Sequence, residues 1–362
     1  VRHMMKGLAQ DPFMPRMHWN YALLLLEQGY WRQGFKHYEY GISSRDRPLR
    51  FYDSDAEKVP FWEPGMPDGK IVVYGEQGMG DEIMYASALG DLKQDIVFDC
   101  HPRMEGLFRR SFPNIKTFYP TRKHQEVPLP WVEDEKPDYK LAIGSLWKFY
   151  RSNGEFPRKP YLKADPVLVA EWRERLAKCG PGPYIGIGWT AGYRSTRNDF
   201  RSLKLGWFNP LIEKGGTFIS LQYTADSEGK CDRFFEDSGI RVHHFTDLIE
   251  ATDHEAQRKN GDGEAVRYTG FDYDYTAALV TALDLCIVPN TTIAHLCGAL
   301  GEPCWTLTPD AAAWRYQLSG GHMVQYGDWV KQIRQEGKDW QEVLEEVGRD
   351  YGSLLGGTWP LS

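Results

Sequence analysis

Apolar and polar positions change their period along this chain, and each change marks a different kind of element. In "HWNYALLLLEQGYWRQGFKHYEYG", residues 18–41, apolar residues recur at helical spacing. Gly29 falls where a first helix should stop, and a second helix is expected from about Tyr30 to Tyr40. One such hairpin cannot bury its own apolar face, so it should dock on the next domain or on a partner. A turn-rich linker follows, "FWEPGMPDGK", with two prolines and two glycines.

Short apolar runs then alternate with helical segments. The pattern predicts strand 71–74, a helix over about 81–93, strand 95–99, a helix over about 102–111 and a strand near 115–118. This is βαβ order and implies a parallel sheet. Residues 119–165, rich in Pro, Lys and acids, read as irregular and as the crossover between domains. A second set starts near 167: helix 167–178, strand 184–189, a helix near 206–214, strand 217–223, a helix near 228–238 and strand 240–245. Residues 246–268 are polar and read as an insertion. Then come a helix in "TAALVTAL", a strand in "DLCIVP", a helix opened by "TTIAHLCGALG", a strand in "PCWTLT" and an amphipathic helix in "DWQEVLEEVGRDYGSLL". Two α/β halves of similar size are expected to leave a cleft, and ligands bind at the carboxyl ends of parallel strands.

Composition narrows the function classes. The net charge of -7 over 362 residues argues against a global nucleic-acid face. The 13 Trp and 20 Tyr suit a large core, or flat surfaces for sugars and bases. None of the six cysteines forms a CxxC pair, which predicts a reduced, cytoplasmic protein without a zinc site. No run of 18 apolar residues occurs, so no membrane span is expected, and the first residues lack the apolar core of a signal peptide.

Three stretches carry candidate chemistry. "YGEQGMGDEIM", Tyr74 to Met84, sits between a strand and a helix. Gly78 and Gly80 let backbone approach a ligand, but the pattern is neither GxGxxG nor a P-loop. Asp81 would repel a phosphate there. The residues leave it either a general base or a helix cap. In "VPNTTIAHLCGALGEP", Asn290, Thr291 and Thr292 open a helix, and their donors suit a diphosphate or simple capping. His295 falls one turn on, on the same face, as a ligand contact or a buried histidine. In "GWTAGYRSTRNDFRSLKLGWF", Arg194, Arg197, Arg201 and Lys204 crowd the loop after a strand, a place for phosphate charge. Metal ligation is not expected: no DxD follows a strand, and His243 and His244 alternate along theirs.

Taken in order, these stretches resemble tetratricopeptide-repeat proteins whose repeats precede a glycosyltransferase domain. That domain is similar to the family-nine heptosyltransferases and, more distantly, to the catalytic part of O-linked N-acetylglucosaminyltransferases. The resemblance rests on "WNYALLLLEQGYWRQGFKHYEY", "GKIVVYGEQGMGDEIMYASAL", "IGIGWTAG" with "NDFRSL", "FISLQY" and "YTAALVTALDLCIVPNTTIAHLCGALGEPCWTLTPDAAAWRY". It implies a GT-B fold of two Rossmann-like domains and inversion without a metal. It implies Asp81 as base, Arg201 on the donor phosphates, Asn290, Thr291 and Thr292 as the diphosphate turn, and His295 near the ribose or phosphate. Gln222, at the end of "FISLQY", joins the donor-binding set. Departures are Asn290 where Asp is usual, the polar insertion and a single repeat. The expected division is a hairpin over 1–48, an acceptor domain over 66–165, a donor domain over 166–345 and a tail, 346–362, packing back toward the N-terminal domain. The expected co-substrate is a nucleotide-diphosphate sugar, a UDP-sugar first. The expected acceptor is a protein or glycan, with hydroxymethylated bases of phage DNA as an alternative. A nucleotide-sugar epimerase and a non-catalytic peptide-binding adaptor are the other readings.

Overall fold

The computed structural model describes residues 2–50, 52, 59–122, 129–191, 198–222, 224, 226–246 and 273–357. The chain forms two compact units, Val1–Leu162 with Ala313–Ser319, and Lys163–Ala312 with Gly320–Ser362.

The first unit opens with helices α1 (Arg2–Gln10), α2 (Pro15–Glu27), α3 (Trp31–Tyr38) and α4 (Tyr40–Ser43). Pro15 starts α2 in the first turn, where its missing N–H costs nothing. Gly29 ends the helix with φ +79°, a left-handed conformation that glycine adopts freely. Leu26 of α2 and Phe35 of α3 are fully buried. A Cβ on Gly34 would lie 2.6 Å from the Leu26 side chain, so glycine lets α2 and α3 approach. The hairpin belongs to the same unit as the sheet that follows.

That sheet runs β1 (Lys70–Tyr74), α5 (Met79–Ala86), β2 (Asp95–Asp99), α6 (Glu105–Ser111), β3 (Thr117–Tyr119), α7 (Pro130–Glu135), β4 (Tyr139–Ala142) and α8 (Ser145–Tyr150). Among the described residues it is parallel, in the order β3-β2-β1-β4. Ile71, Val72 and Val73 are fully buried, as the apolar run requires of a central strand. Because β2 and β4 flank β1, the winding direction reverses there. The loop after Tyr74 therefore lies at a topological switch point.

The stretch 119–165, expected to be irregular, contains α7, β4 and α8. β4 escapes the pattern because it is short and carries Lys140, whose ammonium sits 5.1 Å from the Phe61 ring centre while its stem is buried. The helix expected over 81–93 ends at Ala86 and gives way to a 3₁₀ turn, Leu89–Asp91.

The second unit runs α9 (Pro166–Ala177), β5 (Tyr184–Ile187), α10 (Asn209–Ile212), β6 (Thr217–Ser220), α11 (Ser227–Ser238), β7 (Val242–His243), α12 (Tyr273–Ala282), β8 (Leu285–Pro289), α13 (Thr292–Leu300), β9 (Cys304–Thr308), β10 (His322–Met323), β11 (Gly327–Arg334) and α14 (Trp340–Leu355). The described strands form one sheet, β10-β11-β9-β8-β5-β6-β7, parallel except for the β10–β11 pair. The expected strand 240–245 shrinks to Val242–His243. The hairpin β10–β11 was not expected: Asp328 and Trp329 stay exposed in β11, which breaks the apolar run. Winding again reverses between β5 and β8, and these two strands deliver the second set of candidate residues.

Helix α14 closes this core. Asp339 Oδ1 accepts the N–H groups of Gln341 and Glu342, both at 2.9 Å, and Glu342 Oε2 accepts the Asp339 N–H at 3.1 Å, a capping box. Its stripe of Trp340, Val343, Leu344, Val347 and Tyr351 lies in one core with Ile185, Phe218 and Ile287. The helix thus runs through the expected boundary at 345 with its buried face in the second unit. Residues 247–268 of the polar insertion and 358–362 of the tail lie outside the described residues.

Candidate functional site

The loop that leaves β1 sorts its three acids by burial. Glu76 and Glu82 are fully buried, whereas the Asp81 side chain keeps 16% of its exposure. Glu76 takes Arg47 in bidentate fashion, Nε to Oε2 at 2.8 Å and Nη2 to Oε1 at 2.7 Å, and Oε1 also accepts the Gly144 N–H. Glu82 accepts Arg122 Nη1 at 2.5 Å and the His101 N–H at 2.8 Å. Burial pushes the Glu82 carboxyl upward, against the pull of Arg122. Arg122 also donates to the Gln77 carbonyl, so it braces the loop at two points. A Cβ on Gly75 would fall 2.1 Å from the Glu82 carboxylate, which explains glycine there. Gln77 turns the chain with φ +57°, and its side-chain oxygen accepts Tyr38 Oη at 3.1 Å.

Asp81 is the acid left for chemistry. It lies in the first turn of α5, and its Oδ2 accepts the Gly78 N–H at 3.1 Å. Its Oδ1 pairs with Arg315 Nη2. Asp81 is therefore both a cap and a partly open carboxylate, held at each oxygen by a different donor. Gly80 is buried inside α5, and Gly78 supplies its N-cap.

In the second unit, β8 ends at Pro289 and the chain turns into α13 through Asn290 and Thr291. Asn290 is buried, and its Oδ1 accepts the hydroxyls of Thr306 at 2.9 Å and Thr308 at 3.1 Å. Its carbonyl accepts Arg201 Nη1 at 2.9 Å. Its Nδ2 is buried without a hydrogen-bond partner, and so is Thr291 Oγ1. Thr291 occupies the N-cap of α13, yet its side chain makes no capping bond. Simple capping thus leaves two donors at this helix start uncommitted, and Thr292 follows as the first helical residue.

The other expected residues divide. Gln222 is buried, and its Oε1 accepts the N–H groups of Trp189 at 2.5 Å and Thr190 at 2.7 Å, fixing the loop after β5. His295 is buried, with Nδ1 3.0 Å from Tyr326 Oη on the core side of α13. Lys204 is exposed, its ammonium 5.4 Å from the Trp207 ring centre. Arg194 and Arg197 lie outside the described residues. Among the described residues no three His, Cys, Asp or Glu side chains are grouped to hold a metal ion. No described helix is long and apolar enough to cross a membrane. Sequence reasoning missed Arg47, Arg122 and Arg315, the cations that hold the β1 loop. No local pattern marks them, because each meets its acid across the fold.

No family model matches the chain. Protein FlbA of Caulobacter vibrioides is 29% identical over 330 residues, which cover 86% of this chain and 50% of that protein. The chain thus spans about half the length of the curated relative it matches. The crystal structure of a family 9 glycosyl transferase from Veillonella parvula superposes with TM-score 0.53 at 13% identity, covering 81% of this chain and 99% of the other. The ADP-heptose lipopolysaccharide heptosyltransferase II of E. coli gives TM-score 0.48 at 13% identity, covering 80% and 100%. The α/β fold, with its parallel Rossmann-like sheets, is therefore one shared with a family 9 glycosyltransferase.

Proposed function

We propose that this chain is an inverting glycosyltransferase that moves a sugar from a nucleotide-diphosphate sugar to an acceptor hydroxyl without a metal. The observation that carries the reading is the helix start at Asn290–Thr292. Two buried donors there have no protein partner, and the Arg201 guanidinium is bonded to the same turn. A helix N-terminus with free donors and a cation suits a diphosphate.

In this reading Asn290–Thr292 and Arg201 hold the donor, and Asp81 supplies the base. Asp81 takes the proton of the acceptor hydroxyl, and the hydroxyl oxygen attacks the anomeric carbon. The bond to the diphosphate oxygen breaks, and the nucleoside diphosphate leaves with the electron pair. Arg201, the α13 dipole and the Thr291 hydroxyl offset the charge that develops on it. His295 and Gln222 support this site from behind: one anchors α13 and the other the β5 loop. The proposed donor is a UDP-hexose and the proposed acceptor a protein or a glycan. The net charge of -7 weighs against DNA. The α2–α3 hairpin is proposed as a single tetratricopeptide-like repeat.

A thermal-shift panel of UDP-, ADP- and GDP-sugars tests the reading. A bound donor at ~100 times its Kd stabilises the fold by about 2.7 kcal/mol, a shift of several degrees. A panel in which no nucleotide-sugar raises Tm contradicts it. An isomerised sugar nucleotide as the product favours an epimerase instead.

A further inference from the structure

We propose that Arg315 is a positioning residue for Asp81, delivered by a strap of the chain that is anchored on the N-terminal helical hairpin. The inference rests on the reading of Asp81 as the base. The chain leaves the second unit after Ala312, contributes Ala313–Ser319 to the first, and returns at Gly320. Seven residues from the middle of the second unit's sequence thus belong to the unit that holds Asp81.

The strap is fixed along its length. The Trp314 ring meets Trp31, Phe35, Tyr38 and Trp147 edge-on, at centroid distances of 6.0–6.4 Å. Gln317 Nε2 donates to the Leu26 carbonyl at 2.8 Å and to the Trp314 carbonyl at 2.7 Å. The Leu318 N–H donates to the Glu27 carbonyl at 3.3 Å. Gln317 takes φ +55° with ψ 169°, a conformation sparsely populated outside glycine, which its surroundings must hold in place. Leu26 and Glu27 are the last turn of α2, and Trp31, Phe35 and Tyr38 line α3. The hairpin is thus the wall that carries the strap, whatever else it binds.

Arg315 lies between this anchor and the acid. One hydrogen bond, from the Gly78 N–H to Oδ2, leaves a carboxylate free over a broad torsion. A guanidinium on Oδ1 fixes its plane and leaves lone pairs for an incoming hydroxyl. Burial works against the Arg315 cation, yet Asp81 holds it protonated, with the phenols of Tyr85, Tyr316 and Tyr38 close by. Those phenols are the titratable groups around the pair, with the Arg47–Glu76 pair behind Tyr38.

The test measures nucleoside-diphosphate release from UDP-glucose, UDP-N-acetylglucosamine, ADP-glucose and GDP-mannose, with kcat and donor KM for each variant. Arg315→Gln should lower kcat about 10- to 100-fold with donor KM within about twofold. Arg315→Lys should restore most of the rate. Gln317→Ala, which cuts the strap's bonds to the Leu26 and Trp314 carbonyls, should lose part of kcat in the same way and guards against a misfolded Arg315 variant. Adding Arg315→Gln to Asp81→Asn should cost nothing further. Wild-type kcat in a folded Arg315→Gln, or losses that multiply in the double variant, overturn the proposal. Wild-type turnover by Asp81→Asn overturns the reading of the base itself, and with it the proposal.

Discussion

Arg47, from the segment after the hairpin, places both Nε and Nη2 on the Glu76 carboxylate, and neither side chain has any exposure. The pair ties the chain just beyond α4 to the loop that presents Asp81. Cutting one partner leaves a buried charge alone. Glu76→Gln or Arg47→Met should therefore cost about 3–5 kcal/mol in urea unfolding. A cost below ~1 kcal/mol would show that the pair does not brace the loop.

Thr291 offers a cleaner probe of the proposed donor site. Its hydroxyl is buried without a partner, so Thr291→Val removes nothing the folded chain uses. Tm without ligand should stay within about a degree of wild type, while the donor-induced shift falls, by the equivalent of about 1–3 kcal/mol of binding. Asn290→Ala should behave differently. It strips acceptors from the Thr306 and Thr308 hydroxyls, so it should lower Tm even without ligand.

Gly298 decides where α13 sits. A Cβ there would fall 2.3 Å from the Tyr326 ring, whose hydroxyl meets His295. Gly298→Ala should push Tyr326 aside, destabilise the unit by about 1–3 kcal/mol and loosen donor binding. Unfolding and thermal-shift measurements on one preparation read both.

The hairpin carries its own pH response. His18 Nδ1 and His37 Nδ1 are 2.7 Å apart, with Tyr40 stacked on His18 and Tyr21 edge-on to His37. Burial, then the charges of His18 and Lys36, push His37 below the usual histidine value. A depressed histidine contributes stability above its unfolded pKa, and that contribution is lost as pH falls through the folded pKa. Tm of the wild type should drop between about pH 7 and pH 5, and His37→Asn should flatten that drop.

Much of the frame was legible because two-sided burial writes continuous apolar runs. Ile71–Val73 and Leu285–Val288 could only be central strands, and the glycine after α2 had to end it. β4 and β11 were not legible. Lys140 and the exposed Asp328 and Trp329 interrupt their apolar signal, and only pairing with β1 and β9 makes them strands. The site divides the same way. Asp81, Asn290 and Thr291 were visible because they follow strands. Arg315 was not: it meets Asp81 across 234 residues of sequence, and no local period encodes that.

The central claim is that Asp81 serves as the base of the proposed sugar transfer. The most direct measurement pairs the donor-induced Tm shift of Asp81→Asn with its rate of nucleoside-diphosphate release. The shift should match wild type while the rate falls about 10²- to 10⁴-fold. A variant that binds the donor and turns it over at the wild-type rate would contradict the claim.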